Sequence, residues 1–275
     1  MAIILVALVV LGLCFGSFVN ALAWRIHQQA TKPKNRKLSI LNGRSMCPNC
    51  RHVLAAKDLV PVISWLTLRG RCRYCAKPIS AQYPVVELAL ALVFIGSYIF
   101  WPNTVHQNGQ WLLLGTWLAA SVGLLALLIY DFKWMLLPSR ILYPTFLVAF
   151  LGQLVYLVGY ENNKWQAVLN WGLSVLVASG IFWLLFMVSK GRWIGYGDVR
   201  LGLITGTLLQ TPGKSFLMIF IASVLGTIAA LPLIAGGKKH LSAKIPYGPF
   251  LISATFICLL FGDSLINWYK NLFLR

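Results

Sequence analysis

Only six acidic side chains occur in 275 residues: Asp58, Glu87, Asp131, Glu161, Asp198 and Asp263. Any carboxylate chemistry must draw on this short set. Asp131 closes an apolar run in Tyr130-Asp131-Phe132-Lys133. Asp198 opens a short one in Gly195-Tyr196-Gly197-Asp198-Val199-Arg200. Ionisable groups at membrane depth are costly, and they face a protein interior or a water-filled cavity. The glycines before Asp198 permit a tight turn and close backbone approach, and a helix starting there offers its positive dipole end to the carboxylate. If the two carboxylates converge in a partly dry site, one keeps its proton while the other remains a base. The spacing equally allows a helix cap at Asp198 and a snorkelling surface acid at Asp131.

The cysteines divide four and two. Cys47-Pro48-Asn49-Cys50 and Cys72-Arg73-Tyr74-Cys75 are two C-x2-C pairs with 21 residues between them. Two such pairs, each presenting thiolates from a tight turn, form a tetrahedral sulfur cage suited to zinc. Arg51, Arg71, Arg73 and Lys77 would offset a zinc tetrathiolate of charge −2. Four protein ligands leave no open position, so the expected metal is structural. Free thiols or a redox pair are the alternative. Cys14 and Cys258 fall inside apolar runs and read as small buried apolar residues.

Glu87 lies a turn into an apolar run after Tyr83-Pro84 and needs a polar partner, with Arg25 or Asn20 as candidates. Gly16-Ser17-Phe18-Val19-Asn20 carries small and polar residues of the kind that let helices approach closely. Asp58 is expected on the surface of the cysteine-bearing segment, and Glu161 and Asp263 near outer boundaries. His27, His52, His106 and His240 form no ligand spacing.

The elements that must position these groups follow from composition. Hydrophobic residues make up 59% of the chain and charged residues 11%, with a mean hydropathy of +0.75. That is far too little charge for a water-soluble globule of this size. Apolar runs cover residues 1–24 and about 84–101, 111–130, 141–159, 165–189, 215–236 and 249–268, with a shorter run at about 201–210. Runs near 20 residues span hydrocarbon as helices; a ten-residue run needs shelter from neighbouring protein. The expectation is an all-α polytopic membrane protein of about eight spans, the sixth short or broken. No internal repeat is visible.

The basic residues lean to one side. With the N-terminus outside, the inward segments 25–82, 131–140, 190–200 and 237–246 hold twenty Lys and Arg, against four outside. This bias sets the orientation and explains the net charge of +18 without nucleic acid. It places Asp131, Asp198 and the cysteine pairs on the cytoplasmic side, where disulfides are disfavoured. The first run lacks the preceding positive charge of a secretory signal and reads as an uncleaved span. The domains expected are a first transmembrane helix (1–26), a zinc-binding domain (27–82) and a seven-helix membrane domain (83–275).

Taken together, these residues resemble the bacterial type IV prepilin peptidases, aspartic proteases of the membrane. The resemblance runs nearly end to end. It rests on Gly16-Ser17-Phe18-x-Asn20 with Arg25, the paired C-x2-C motifs, Pro61-Val62-x-Ser64-Trp65-Leu66, Arg69-Gly70-Arg71-Cys72, Pro78-Ile79-Ser80 and Tyr83-Pro84-x-x-Glu87. Asp131 with Leu137-Pro138, and Gly195-x-Gly197-Asp198, complete it. The resemblance implies catalytic Asp131 and Asp198, acting at the inner membrane of a bacterium. The substrates would be prepilins or pseudopilins, cleaved of a short basic leader after a glycine. It also implies methylation of the new N-terminus with S-adenosylmethionine, which no glycine-rich nucleotide fingerprint supports here; Glu87, Asn20 and Arg25 are the candidates for that step. Membrane lipids are further expected partners of the basic loop, at about 1 kcal/mol per basic residue near an anionic surface. The sequence departs from the family pattern at Ser139, often an acid; at Gln82, commonly arginine; and at Arg200, usually lysine. Two other readings of the aspartates are an ion-coupled transporter and a non-catalytic assembly protein of a pilus or secretion machine.

Overall fold

The computed structural model describes residues 2–31, 43–105, 107, 109–235 and 245–273. His106, His240 and the basic stretches 32–42 and 236–244 lie outside the described residues. Among the described residues the fold is helical throughout. Extended pairing is limited to two isolated bridges, Met46 with Val53 and Arg71 with Pro78. Among the described residues seven helices are long and apolar enough to cross a membrane, and the protein is a multi-pass membrane protein. The chain divides into two compact units, Met1–Ile99 and Phe100–Arg275.

In the first unit, α1 (Ala2–Thr31) packs along α3 (Gln82–Ile99). The apolar run ends near Trp24, but Arg25-Ile26-His27-Gln28-Gln29-Ala30 contains no helix breaker, so the helix continues as a polar extension. Gly12 and Gly16 make the contact close. A Cβ on Gly12 would lie 2.5 Å from Ala91 Cα, and one on Gly16 would lie 2.5 Å from Glu87 Cα. The Gly16-Ser17 motif therefore brings α1 against the backbone that carries Glu87. Between the two helices runs the cysteine-bearing segment with the short helix α2 (Ile63–Thr67).

The second unit contains α4 (Gln110–Trp134), α5 (Ser139–Gly159), α6 (Lys164–Val175), α7 (Ile181–Ser189), α8 (Tyr196–Leu209), α9 (Pro212–Ala235) and α10 (Gly248–Phe273). The apolar run at 165–189 is one continuous span, Lys164–Ser189. Inside it, Leu176–Gly180 forms a π-helical turn joining α6 to α7. That turn widens the helix where α8 lies against it. A Cβ on Gly202 would lie 2.5 Å from Ala178 O, and one on Gly206 would lie 2.7 Å from Val175 Cα. Hydroxyls complete the fit: Ser179 Oγ donates to Val199 O at 2.9 Å and Ser174 Oγ to Gly206 O at 2.8 Å. At 14 residues α8 is too short to span. It persists because nine of its residues, between Val199 and Leu209, are buried by its neighbours.

Candidate active site

Asp131 is carried on the last turn of α4, which stops at Met135 in the left-handed conformation (φ 53°), its N–H bonded to Asp131 O at 2.8 Å. The Asp131 side chain is 6% exposed. The backbone N–H of Gly248, at the start of α10, faces its carboxylate. A Cβ on Gly248 would lie 2.5 Å from Asp131 Oδ2, so a larger residue there would displace the carboxylate.

Asp198 is the third residue of α8, whose N-cap is Gly195 in an extended conformation. Its carboxylate turns back toward Gly195, whose N–H faces it. Asp198 feels the charge of Asp131 directly and faces Tyr247, the residue before Gly248. The two carboxylates thus converge around the Tyr247–Gly248 corner of the second unit. Both lie beside backbone N–H groups and, among the described residues, neither is paired with a cation, which leaves acceptor capacity on each side chain. This arrangement can share a proton across a substrate: one carboxyl donates while the other accepts.

The four cysteines form twin turns in the first unit. Cys47 N–H donates to His52 O at 3.0 Å and Arg51 N–H to Cys47 O at 2.9 Å. Cys72 N–H donates to Lys77 O and Ala76 N–H to Cys72 O, both at 2.9 Å. Arg51 and Ala76, each four residues after the first cysteine of its pair, share the left-handed conformation (φ 59° and 55°). The turns therefore repeat at the backbone level, although the side chains that flank the cysteines differ. His52 stacks on Tyr74 with centroids 3.7 Å apart, joining one turn to the other. All four Sγ atoms lie within 4.8 Å of one another. A tetrahedral ion with metal–sulfur bonds of about 2.3 Å requires sulfurs about 3.8 Å apart, and Cys47 Sγ and Cys75 Sγ are separated by 4.0 Å. The cage fits a metal ion. Burial works against ionising the Cys72 thiol, but the backbone N–H groups of Cys75 and Tyr74 outweigh it and the pKa falls to about 7. Asp58 belongs to this unit's own framework: Arg73 Nε donates to it at 2.7 Å and Tyr74 Oη at 2.9 Å. The Arg73 guanidinium holds its carboxyl below the usual carboxylate range.

Glu87 has a polar partner, but neither of those expected. Its carboxylate accepts from the Val62 N–H at 2.7 Å and from the Ser17 hydroxyl. Val62 holds φ 61° and ψ −52°, a conformation costly for a β-branched residue. Asn20 instead donates to Tyr83 O at 3.1 Å and accepts from Gln82 Nε2 at 3.2 Å. Arg25 Nη2 donates to Gly43 O at 2.7 Å. Glu87, Ser17 and Arg25 line a mainly apolar cleft of about 140 Å³ with Trp65 and Tyr83 in its walls, and Asn20 lies outside it. Cys258 is buried as expected, whereas Cys14 is exposed on α1, one of the positions where that helix turns outward. Asp263 pairs with Lys214 at 2.6 Å.

Gly248, Ser17 and Val62 were not legible as site residues. The available signal for Gly248 was its place in Tyr247-Gly248-Pro249, a glycine–proline pair at the head of an apolar run.

Comparison with known proteins agrees with this geometry. The family model described as the Bacterial Peptidase A24 N-terminal domain matches residues 10–101, and that of the Type IV leader peptidase family matches residues 118–231. A prepilin leader peptidase/N-methyltransferase from Aeromonas hydrophila is 35% identical over 84% of this chain and 76% of its own length. One from Stutzerimonas stutzeri is 31% identical over 98% of this chain and 94% of its own. One from Pseudomonas aeruginosa is 29% identical over 95% and 91%. No solved structure matches the chain. With the N-terminal and peptidase models meeting their two halves in order, and relatives aligned over most of both lengths, the chain belongs to the type IV leader peptidase family.

Proposed function

We propose that the protein is a membrane aspartic endopeptidase that removes the leader from prepilins or pseudopilins, and that it then methylates the exposed N-terminus. The observation that carries the peptidase reading is the convergence of Asp131 and Asp198 at the Tyr247–Gly248 corner, each carboxylate beside one backbone N–H. In the reaction, the ionised member takes a proton from water as the water attacks the scissile carbonyl. The protonated member polarises that carbonyl and then gives its proton to the departing amine. The proton count returns to its start, so the pair needs no cofactor for hydrolysis. The twenty-to-four distribution of basic residues supports an inner-membrane orientation with the dyad on the cytoplasmic side.

The cysteine cage is the proposed site of one zinc ion, held by Cys47, Cys50, Cys72 and Cys75. Zinc there supplies cross-linking of the two turns and leaves no coordination position for chemistry. For methyl transfer, S-adenosylmethionine supplies the methyl group when bound. Glu87 in an aromatic-walled cleft suits the cationic sulfonium end of such a molecule. The cleft is smaller than the roughly 300–1,000 Å³ of a complete small-molecule site, so it would take that end alone. In this role Arg25 lines the cleft, while Asn20 holds Tyr83 from behind.

Purified protein in lipid bilayers, given a synthetic prepilin, should release the leader. Asp131→Asn and Asp198→Asn are nearly isosteric, and each should abolish cleavage while the fold persists. The double variant should be hardly worse than either single one, because the pair acts as a unit. The rate should be bell-shaped in pH: below the lower limb no base remains, and above the upper limb no acid remains. Substantial cleavage by a folded single variant would sink the mechanism.

A further inference from the structure

Arg200 lies two residues beyond Asp198 on α8, a rotation of about 200° that turns it to the opposite face of the helix. It therefore does not support the carboxylate directly. Its guanidinium sits over the Tyr196 ring at 4.5 Å and the Tyr143 ring at 5.8 Å, and Nη1 donates to Ser139 Oγ at 3.0 Å. Tyr196 belongs to α8, whereas Tyr143 and Ser139 belong to α5. Among the described residues, no carboxylate lies within ion-pair distance of it.

Ser139 is the first residue of α5, and the turn leading to it starts from the α4 end that carries Asp131. Leu137 in that turn already touches the other aspartate's segment: a Cβ on Gly197 would lie 3.0 Å from Leu137 Cδ1. The α4–α5 turn is thus fastened to the start of α8 at two points, Leu137 on Gly197 and Ser139 on Arg200. Asp131 lies at one side of the fastening and Asp198 at the other. Two of the positions where the sequence departs from the family pattern, Ser139 and Arg200, are therefore partners in one contact.

We infer that Arg200 is a positioning residue of the peptidase, fixing the spacing of the two carboxylates by clamping the α4–α5 turn to α8 through Ser139 and the tyrosine pair. The inference rests on the dyad reading above. Arginine suits the task because its planar fork can stack between rings and donate in plane at once, and its charge is permanent. A lysine could reach Ser139 but would stack less well.

The test compares the native protein with Arg200→Gln, Arg200→Lys and Ser139→Ala in bilayers, measuring kcat, KM and the pH profile of cleavage, with thermal unfolding as the check on folding. Misplacing reacting groups by about 1 Å costs roughly a hundredfold in rate. Arg200→Gln should accordingly lose about ten- to a hundredfold in kcat, with KM changed by less than about threefold. The two limbs of its pH profile should draw together, because carboxylates that move apart influence each other's ionisation less. Arg200→Lys should recover part of both effects. Ser139→Ala should add little to Arg200→Gln in the double variant, since both remove one contact. A folded Arg200→Gln protein with native kcat overturns the inference, as does a fall in kcat with native spacing of the limbs. The dyad reading fails separately, if folded Asp131→Asn still cleaves.

Discussion

Gly248→Ala tests the site at a residue that carries no charge. The added Cβ would lie 2.5 Å from Asp131 Oδ2 and 3.3 Å from its Cγ. Ordinary contact begins at 3.4 Å, so the oxygen must retreat by about 0.9 Å. The atom that yields is the end of a side chain rather than backbone, so the cost should fall on catalysis more than on folding. Displacements near 1 Å at a reacting group cost roughly a hundredfold, which corresponds to about 2.7 kcal/mol of activation free energy. The assay is leader release from a synthetic prepilin by purified protein in bilayers, with unfolding temperature measured alongside. Gly115→Ala is the control: it lies in α4, the helix of Asp131, and a Cβ there meets nothing within 4 Å. It should keep native cleavage, while Gly248→Ala falls by about thirty- to a hundredfold with little change in unfolding temperature. Native kcat in Gly248→Ala would show that Asp131 does not act from this position.

Three other expectations concern the remaining features. Elemental analysis should find about one zinc per chain, lost in the Cys47→Ser/Cys50→Ser variant; a metal-free protein with an intact cysteine segment would reject the cage as a zinc site. Glu87→Gln should leave leader removal largely intact while lowering N-methylation severalfold by mass analysis of the product, and equal loss of both would assign Glu87 to structure, through its bonds to Ser17 and Val62. Single cysteines at Thr31 and His240 should label only with access to the cytoplasm and one at Asn108 only from outside, so labelling of Thr31 and Asn108 from the same side would overturn the orientation.

Much of this protein is legible in its sequence because hydrocarbon imposes length and polarity on whole segments. The seven long helices coincide with the apolar runs, and the ten-residue run at 201–210 falls on the short α8 and its C-cap, Gln210. The cysteine cage was legible because metal ligation fixes spacing within a turn. What escaped was everything decided by backbone groups across long separations. The Gly248 N–H that holds Asp131 comes from 117 residues away and has no side chain to announce it. Glu87 was expected to find Asn20 or Arg25 because those are polar side chains, yet it takes a main-chain donor from a strained Val62. The π turn at Leu176–Gly180 leaves hydropathy unchanged and shows only as a place where α8 can approach.

The way the dyad is supported bears on why it can work as an acid–base pair. A cation beside either aspartate would favour the ionised form and withdraw the proton that one of them must keep. Here the supports are neutral: the Gly248 N–H for Asp131 and the Gly195 N–H for Asp198. The nearest basic residue in sequence to Asp198, Arg200, is directed to Ser139 and lies over the rings of Tyr196 and Tyr143. That arrangement keeps a permanent charge two residues from the dyad while sparing the dyad its field at contact range. The glycine matters at Gly248, where a Cβ would lie 2.5 Å from Asp131 Oδ2; at Gly195 a Cβ would meet Asp198 Oδ2 only at an ordinary 3.6 Å. The polar demands of the site are thus met by main chain at the ends of α8 and α10, where helical N–H groups lack partners within the helix. In the proposed reaction the acid pair, with Asp131 buried, can then exchange a proton without a compensating buried charge.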